Sequence, residues 1–172
     1  MYFDLAKVNS ETNRLIRATL TLTLKQVNAD GNGVLCSVLS PNGCASVHTM
    51  TTPWTEGMSR TSSGSTWTYS DFPESWNTPG GDFILDPVLG EQVQDQSPTL
   101  LRADFVLDLT LVQFLLENPD RNHGFLLQND EHAGYLDFES RECAVQPSSS
   151  SCTGGTTCCR LGIPPQLTIE LD

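Results

Sequence analysis

The sequence predicts an all-β domain, a sandwich or a barrel, and three observations carry that reading. The segment 14–26 alternates strictly, with Ile16, Ala18, Leu20, Leu22 and Leu24 interleaved by Arg17, Thr19, Thr21, Thr23 and Lys25. Further short apolar or β-branched runs follow at 34–39, 46–50, 66–72, 104–109, 124–128, 135–138 and 166–171. Clusters of Gly, Pro, Asn, Asp and Ser separate them at 28–33, 41–43, 59–65, 77–81 and 146–157, the spacing expected of short strands joined by turns.

The period decides the first element. Apolar residues at every second position cannot line one face of a helix, and the intervening threonines are β-branched, which suits an extended backbone. This strand is therefore expected to bury its Ile16–Leu24 face and to turn its threonines outward. In the run 66–72, Trp67 and Tyr69 alternate with Thr66, Thr68 and Ser70, so both aromatics are expected on one sheet face, against the core. One short helix is expected near 109–118, where Leu111, Leu115 and Leu116 share a face and Pro119 stops the element. No internal repeat of solenoid or propeller length is visible.

At 172 residues the chain reads as a single domain over 1–172, with a Cys-rich loop insertion at 143–159. Nine basic against 21 acidic residues leave a formal charge of -12, which repels phosphate backbones and argues against nucleic acid as a partner. The longest apolar stretch, 105–116, is broken by Asp108, Thr110 and Gln113 and falls short of the roughly 20 residues of a membrane span.

Six cysteines without a Cys-x-x-Cys pair favour disulfides over zinc or thiol redox chemistry, and with them an extracellular or cell-surface location. Cys36 and Cys44 flank the turn at Pro41-Asn42-Gly43, where a bridge would close a hairpin. Cys143, Cys152, Cys158 and Cys159 allow three pairings. The adjacent Cys158 and Cys159 are each expected to reach back to Cys143 or Cys152, and spacing disfavours a tetrathiolate zinc site. The amino terminus lacks the basic start and apolar run of a signal peptide, so the chain is expected to be a mature form or a segment of something longer.

In order, Phe3-Asp4-Leu5, the strand at 16–24, Trp54-Thr55-Glu56-Gly57, Thr66-Trp67, Trp76-Asn77-Thr78-Pro79-Gly80-Gly81-Asp82, Asn122-His123-Gly124-Phe125, and the segments 138–142 and 165–171 resemble the DNRLRE-domain family of extracellular bacterial and archaeal modules. The resemblance spans nearly the whole chain and rests on motif order. It implies a jelly-roll β-sandwich of two antiparallel sheets, usually non-catalytic, similar to carbohydrate-binding modules that accompany polysaccharide lyases. The chain departs from the family pattern in its Cys-rich insertion and in beginning almost on the Phe-Asp-Leu strand. The second departure suggests a sandwich completed by strand exchange, hence self-assembly into a filament or surface structure, as an alternative to carbohydrate binding or surface attachment. A role as accessory domain of a larger polysaccharide-degrading enzyme is a further alternative.

Candidate binding residues follow from aromatic chemistry, since an indole ring stacks on the apolar face of a pyranose. Trp76, beside a turn, is the first candidate for a sugar contact, with Tyr69 and Trp54 beside it. Calcium takes six to eight oxygen ligands, and Asp71, Glu74 and Asp82 around the Trp76 loop are the candidate set for a structural ion. A second acidic group comprises Asp120, Asn122, Asp130 and Glu131. No catalytic residue is assigned: the nucleophile elbow, the phosphate-cradling glycine loop and paired histidines at metal spacing are all missing, and His48, His123 and His132 are scattered.

Overall fold

The computed structural model describes residues 1–8, 14–28, 45–56, 64–85, 90–93, 102–129, 135–138 and 163–172. All six cysteines, the insertion at 143–159, the expected strand at 34–39, His132 and the acidic residues Asp86, Asp130 and Glu131 lie outside them.

The fold is all-β and antiparallel, with one short helix. Its strands are β1 (Leu15–Asn28), β2 (Ala45–Thr49), β3 (Tyr69–Asp71), β4 (Glu74–Ser75), β5 (Gly90–Val93), β6 (Arg102–Leu107), β7 (Phe125–Asn129), β8 (Tyr135–Phe138) and β9 (Gln166–Leu171). Among the described residues, seven of them form one sheet in the order β7-β2-β5-β6-β1-β8, with β9 also paired to β1, while β3 and β4 form a separate two-stranded ribbon. Residues 19–21 of β1 pair with both β6 and β9, so these two strands flank it on opposite edges, and its last residues pair with β8. The alternating segment is thus an interior strand, one in from the edge formed by β8 and β9. Strands β4 and β5 escaped the periodicity argument because Glu-Ser and Gly-Glu-Gln-Val carry almost no β-branched or alternating signal; pairing with neighbours makes them strands.

Two expectations about β1 are corrected. Leu15, not Ile16, faces the core: Leu15 is buried, whereas Ile16 is 50% exposed. The cause is a bulge between Leu15 and Arg17, where β1 gains one residue on β9 and the inward phase switches. From Ala18 onward the expected phase holds, and Ala18, Leu20 and Leu22 are buried. The threonines do not face solvent. Thr19, Thr21 and Thr23 are buried as well, because a strand with neighbours on both edges has side chains packed beside it from each. The Thr21 hydroxyl donates to Asp104 Oδ1 (2.6 Å) on the paired position of β6 and accepts from Arg102 Nη2 (3.2 Å), while Arg102 Nε donates to Asp104 (2.8 Å). The hydroxyl is satisfied, as a buried polar group must be.

The helix α1 (Leu109–Glu117) forms where expected and lies against β1. Val112, Leu115 and Leu116 join Leu20, Leu22, Ala45, Val47, Phe105 and Phe125 in one apolar core, to which the 3-10 turn Leu5–Lys7 adds Leu5. Asp108 caps the helix, its carboxylate accepting from the Leu111 N–H (2.9 Å). At the other end the Phe114 carbonyl accepts from both the backbone N–H and the side-chain amide of Asn118, and Pro119 follows. Because the cap satisfies an otherwise unpaired helical N–H, Asp108→Ala should lower the unfolding free energy by about 1 kcal/mol; urea denaturation would measure it.

Candidate functional site

Three successive segments of the chain meet beside β2 and β7. Residues 51–56 follow β2, residues 64–71 lead into β3, and residues 74–82 contain β4 and the double-glycine turn. Backbone hydrogen bonds knit them: Thr51 N–H to the Asp82 carbonyl (2.9 Å), Thr55 N–H to Ser70 (3.1 Å), Ser65 N–H to Thr55 (2.7 Å), Trp76 N–H to Thr68 (3.1 Å) and Gly80 N–H to Trp67 (2.7 Å). Thr66 organises the turn before β3, its hydroxyl accepting from the N–H groups of Thr68 and Tyr69. Short polar side chains favour such local bonds over a continued strand. That is why β3 begins only at Tyr69, three residues after the run at 66–72 opens.

The late start changes the fate of Trp67. Sequence alternation placed it in the core beside Tyr69; the structure leaves it 73% exposed, on the bend ahead of the strand. Its six-membered ring lies against Gly80. A Cβ on Gly80 would sit only 2.8–3.2 Å from Trp67 Cη2, Cζ3 and Cζ2, and the φ of +97° at this residue is one that glycine adopts freely. The missing side chain lets the indole settle on the backbone. Sequence alternation favoured the core over a sugar contact for Trp67; the signals against it were the polar run Ser62–Ser63–Gly64–Ser65–Thr66 just before it and the glycine pair that accommodates it.

Beside Gly80 opens a cleft of about 240 Å³ lined by Met50, Trp54, Trp76, Phe125 and Leu126, with Met1, Ser65, Thr66 and Gly80 completing it. Trp54 and Trp76, both singled out in the sequence, are therefore brought together. Each indole N–H is engaged within the protein: Trp54 Nε1 donates to the His123 carbonyl (2.7 Å) and Trp76 Nε1 to the Thr66 carbonyl (2.8 Å). These bonds orient the two rings. Trp76 is buried to 9% exposure, so it is a wall and a support, while Trp67 offers the open face expected of Trp76. Tyr69 does not line the cleft; it packs edge-on against Phe72, with centroids 5.0 Å apart at 77°.

The motif Asn122-His123-Gly124-Phe125 holds the far wall. Asn122 Nδ2 donates to the Phe3 carbonyl (2.8 Å), and Phe125 exchanges backbone hydrogen bonds with Met1 in both directions. Gly124, at φ +91°, lies against the Met1 backbone, where a Cβ would collide. His123 thus contributes its carbonyl rather than its ring to the site. His48 is 2% exposed and engages both ring nitrogens, with Ser46 Oγ (2.8 Å) and the Ile84 carbonyl (3.0 Å), stapling β2 to the segment after Asp82.

The candidate calcium ligands do not converge. Asp71 and Glu74 are partners across the β3–β4 ribbon, and Asp71 Oδ2 accepts from the Thr55 hydroxyl (2.9 Å). Among the described residues no three His, Cys, Asp or Glu side chains form a group able to hold a metal ion. Asp82 is engaged by the protein's own donors. Its Oδ2 accepts from the Thr52 hydroxyl (3.0 Å), the Asn77 N–H (3.1 Å) and Asn77 Nδ2 (2.9 Å), and its Oδ1 from the Thr78 N–H (2.9 Å). Desolvation is the largest single influence and pushes the Asp82 pKa upward, but these four bonds together outweigh it and hold the pKa below its ordinary value.

No family model, curated protein or solved structure matches this chain.

Proposed function

We propose that the chain is a non-catalytic carbohydrate-binding module of the DNRLRE type, a jelly roll acting outside the cell or at its surface. The carrying observation is Trp67, a tryptophan whose six-membered ring lies against Gly80 and which is 73% exposed, next to a cleft walled by Trp54 and Trp76. A soluble domain gains nothing in stability by exposing its largest apolar ring, whereas a pyranose gains an apolar surface to stack upon. Concave, mostly apolar surfaces with a few polar groups are where small ligands bind.

Charge narrows the ligand. Between residues 45 and 101 the chain carries Glu56, Asp71, Glu74, Asp82, Asp86, Glu91 and Asp95 against Arg60 alone. Uronate polymers such as alginate would meet like charge there, so neutral glycans are the preferred class. The purified chain should be retarded on at least one neutral polysaccharide in affinity electrophoresis and run unretarded through alginate. Retardation should persist at ~0.5 M salt, where charge attraction is screened but stacking is not. Unaltered migration in every neutral gel would refute the reading.

A further inference from the structure

We propose that Asp82 is a positioning residue for the tryptophan surface, a carboxylate clasp that holds the turn carrying Gly80 in the shape on which Trp67 rests. The inference rests on the glycan-binding reading for its functional consequence, though not for its geometry. Asp82 ties together the two sides of the site. Through Asn77 and Thr78 it closes the turn that runs from Trp76 to Gly81, and through Thr52 it anchors that turn to the segment bearing Trp54. Its own carbonyl adds a bond to the same segment, accepting from the Thr51 N–H. Gly80, two residues away, is thereby placed so that its N–H meets the Trp67 carbonyl and its bare Cα meets the Trp67 ring.

A carboxylate suits this role because it accepts on both oxygens at once and donates nothing. Bonds to an ionised acceptor are about twice as strong as neutral ones. An amide at this position would turn a donor toward groups that are themselves donors. Protonation of the acid would do the same at one oxygen.

Among the described residues, the groups facing Asp82 are the hydroxyl of Thr52, the amide and backbone of Asn77 and the backbone of Thr78, none of them charged. The sign follows. A carboxylate held below its ordinary value of 3.8 in the folded protein contributes fully above that value and loses its contribution as pH falls through the lower folded value. The clasp is therefore closed throughout pH 5–8 and opens only in acid below the ordinary carboxylate value.

The test combines a readout that needs no ligand with one that does. Indole ¹H–¹⁵N signals of Trp67 and Trp76 are followed from pH 7 to pH 2.5 in the wild type, in Asp82→Asn and in Thr52→Val, which removes a single donor to the clasp. Affinity for the neutral polysaccharide that retards the wild type is measured in the same samples. The expected result is a shared acid titration of both indole signals in the wild type and its absence in Asp82→Asn, with affinity reduced tenfold or more at pH 7. Thr52→Val should lose a few-fold and keep the titration.

Indole signals in Asp82→Asn that superimpose on those of the wild type, with affinity within twofold, would overturn the proposal. So would a wild-type titration absent from both tryptophans, which can be read even if Asp82→Asn does not fold. If the titration is present but no polysaccharide is bound, the clasp stands and the glycan reading falls.

Discussion

Trp67→Ala is expected to remove retardation in polysaccharide gels, weakening binding by tenfold to a hundredfold, while the melting temperature stays nearly unchanged. The two halves of that result have different causes. A ring that is 73% exposed has little tertiary contact to lose, so its truncation falls among surface substitutions, within about 0.5 kcal/mol. Binding hot spots are enriched in tryptophan, and their removal costs roughly 1.4–2.8 kcal/mol or more, which is the stated range of affinity. Isothermal titration against a soluble oligosaccharide and a thermal melt on the same sample would separate the two. Affinity unchanged by the substitution would remove Trp67 from the site and with it the main support for glycan binding.

Trp76→Ala is expected to behave in the opposite sense. Its ring is buried at the back of the cleft, and its N–H satisfies the carbonyl of Thr66, the residue that organises the turn ahead of β3. Truncation opens a cavity and leaves that carbonyl without its donor. Large-to-small changes of this kind cost about 3–5 kcal/mol, and the lower end applies where one wall of the site is open to solvent. For a chain of 172 residues a loss of about 3 kcal/mol corresponds to a fall of roughly 6–12 °C in melting temperature. A circular dichroism melt would show it. Trp76→Phe should recover most of the lost stability, because it restores the apolar volume but not the N–H. The two tryptophans, equivalent as sequence letters, thus separate into a residue read by ligand and one read by stability.

Much of the sheet was legible because its signal is local. Alternation marked β1 despite the misplaced phase at Ile16, and short apolar runs marked β2, β6, β7, β8 and β9. Leu111, Leu115, Leu116 and Pro119 bounded α1 within a residue. A strand with one buried face writes that face into every second letter, and a proline writes the end of a helix. The bulge at Leu15 was not legible, since an extra residue in one strand exists only relative to its partner β9. Burial of Thr19, Thr21 and Thr23 was hidden for the same reason. It depends on β6 and β9 lying on both edges of β1, while a sequence pattern reports preferences for one strand at a time.

The candidate site shows the same division more sharply. Trp54 and Trp76 stood out as aromatics beside turns, and the structure joins them in one cleft. Trp67 was assigned to the core because its alternation with Tyr69 looks like a strand, and the turn organised by Thr66 ends that alternation. Asp82 was read as an ion ligand from its place among the carboxylates around the Trp76 loop; the donors of Thr52, Asn77 and Thr78 make it a clasp.

What the sequence determined by itself was composition-borne and periodic: an acidic, cysteine-bearing chain of short antiparallel strands with one helix. Only the tertiary structure decided which tryptophan faces solvent, which carboxylate holds a turn and which strands flank β1. Those properties include relations between residues distant along the chain, 30 positions for Thr52 and Asp82 and 83 for Thr21 and Asp104. Side-chain chemistry states what each residue can do, and packing against distant neighbours selects which of those possibilities is realised.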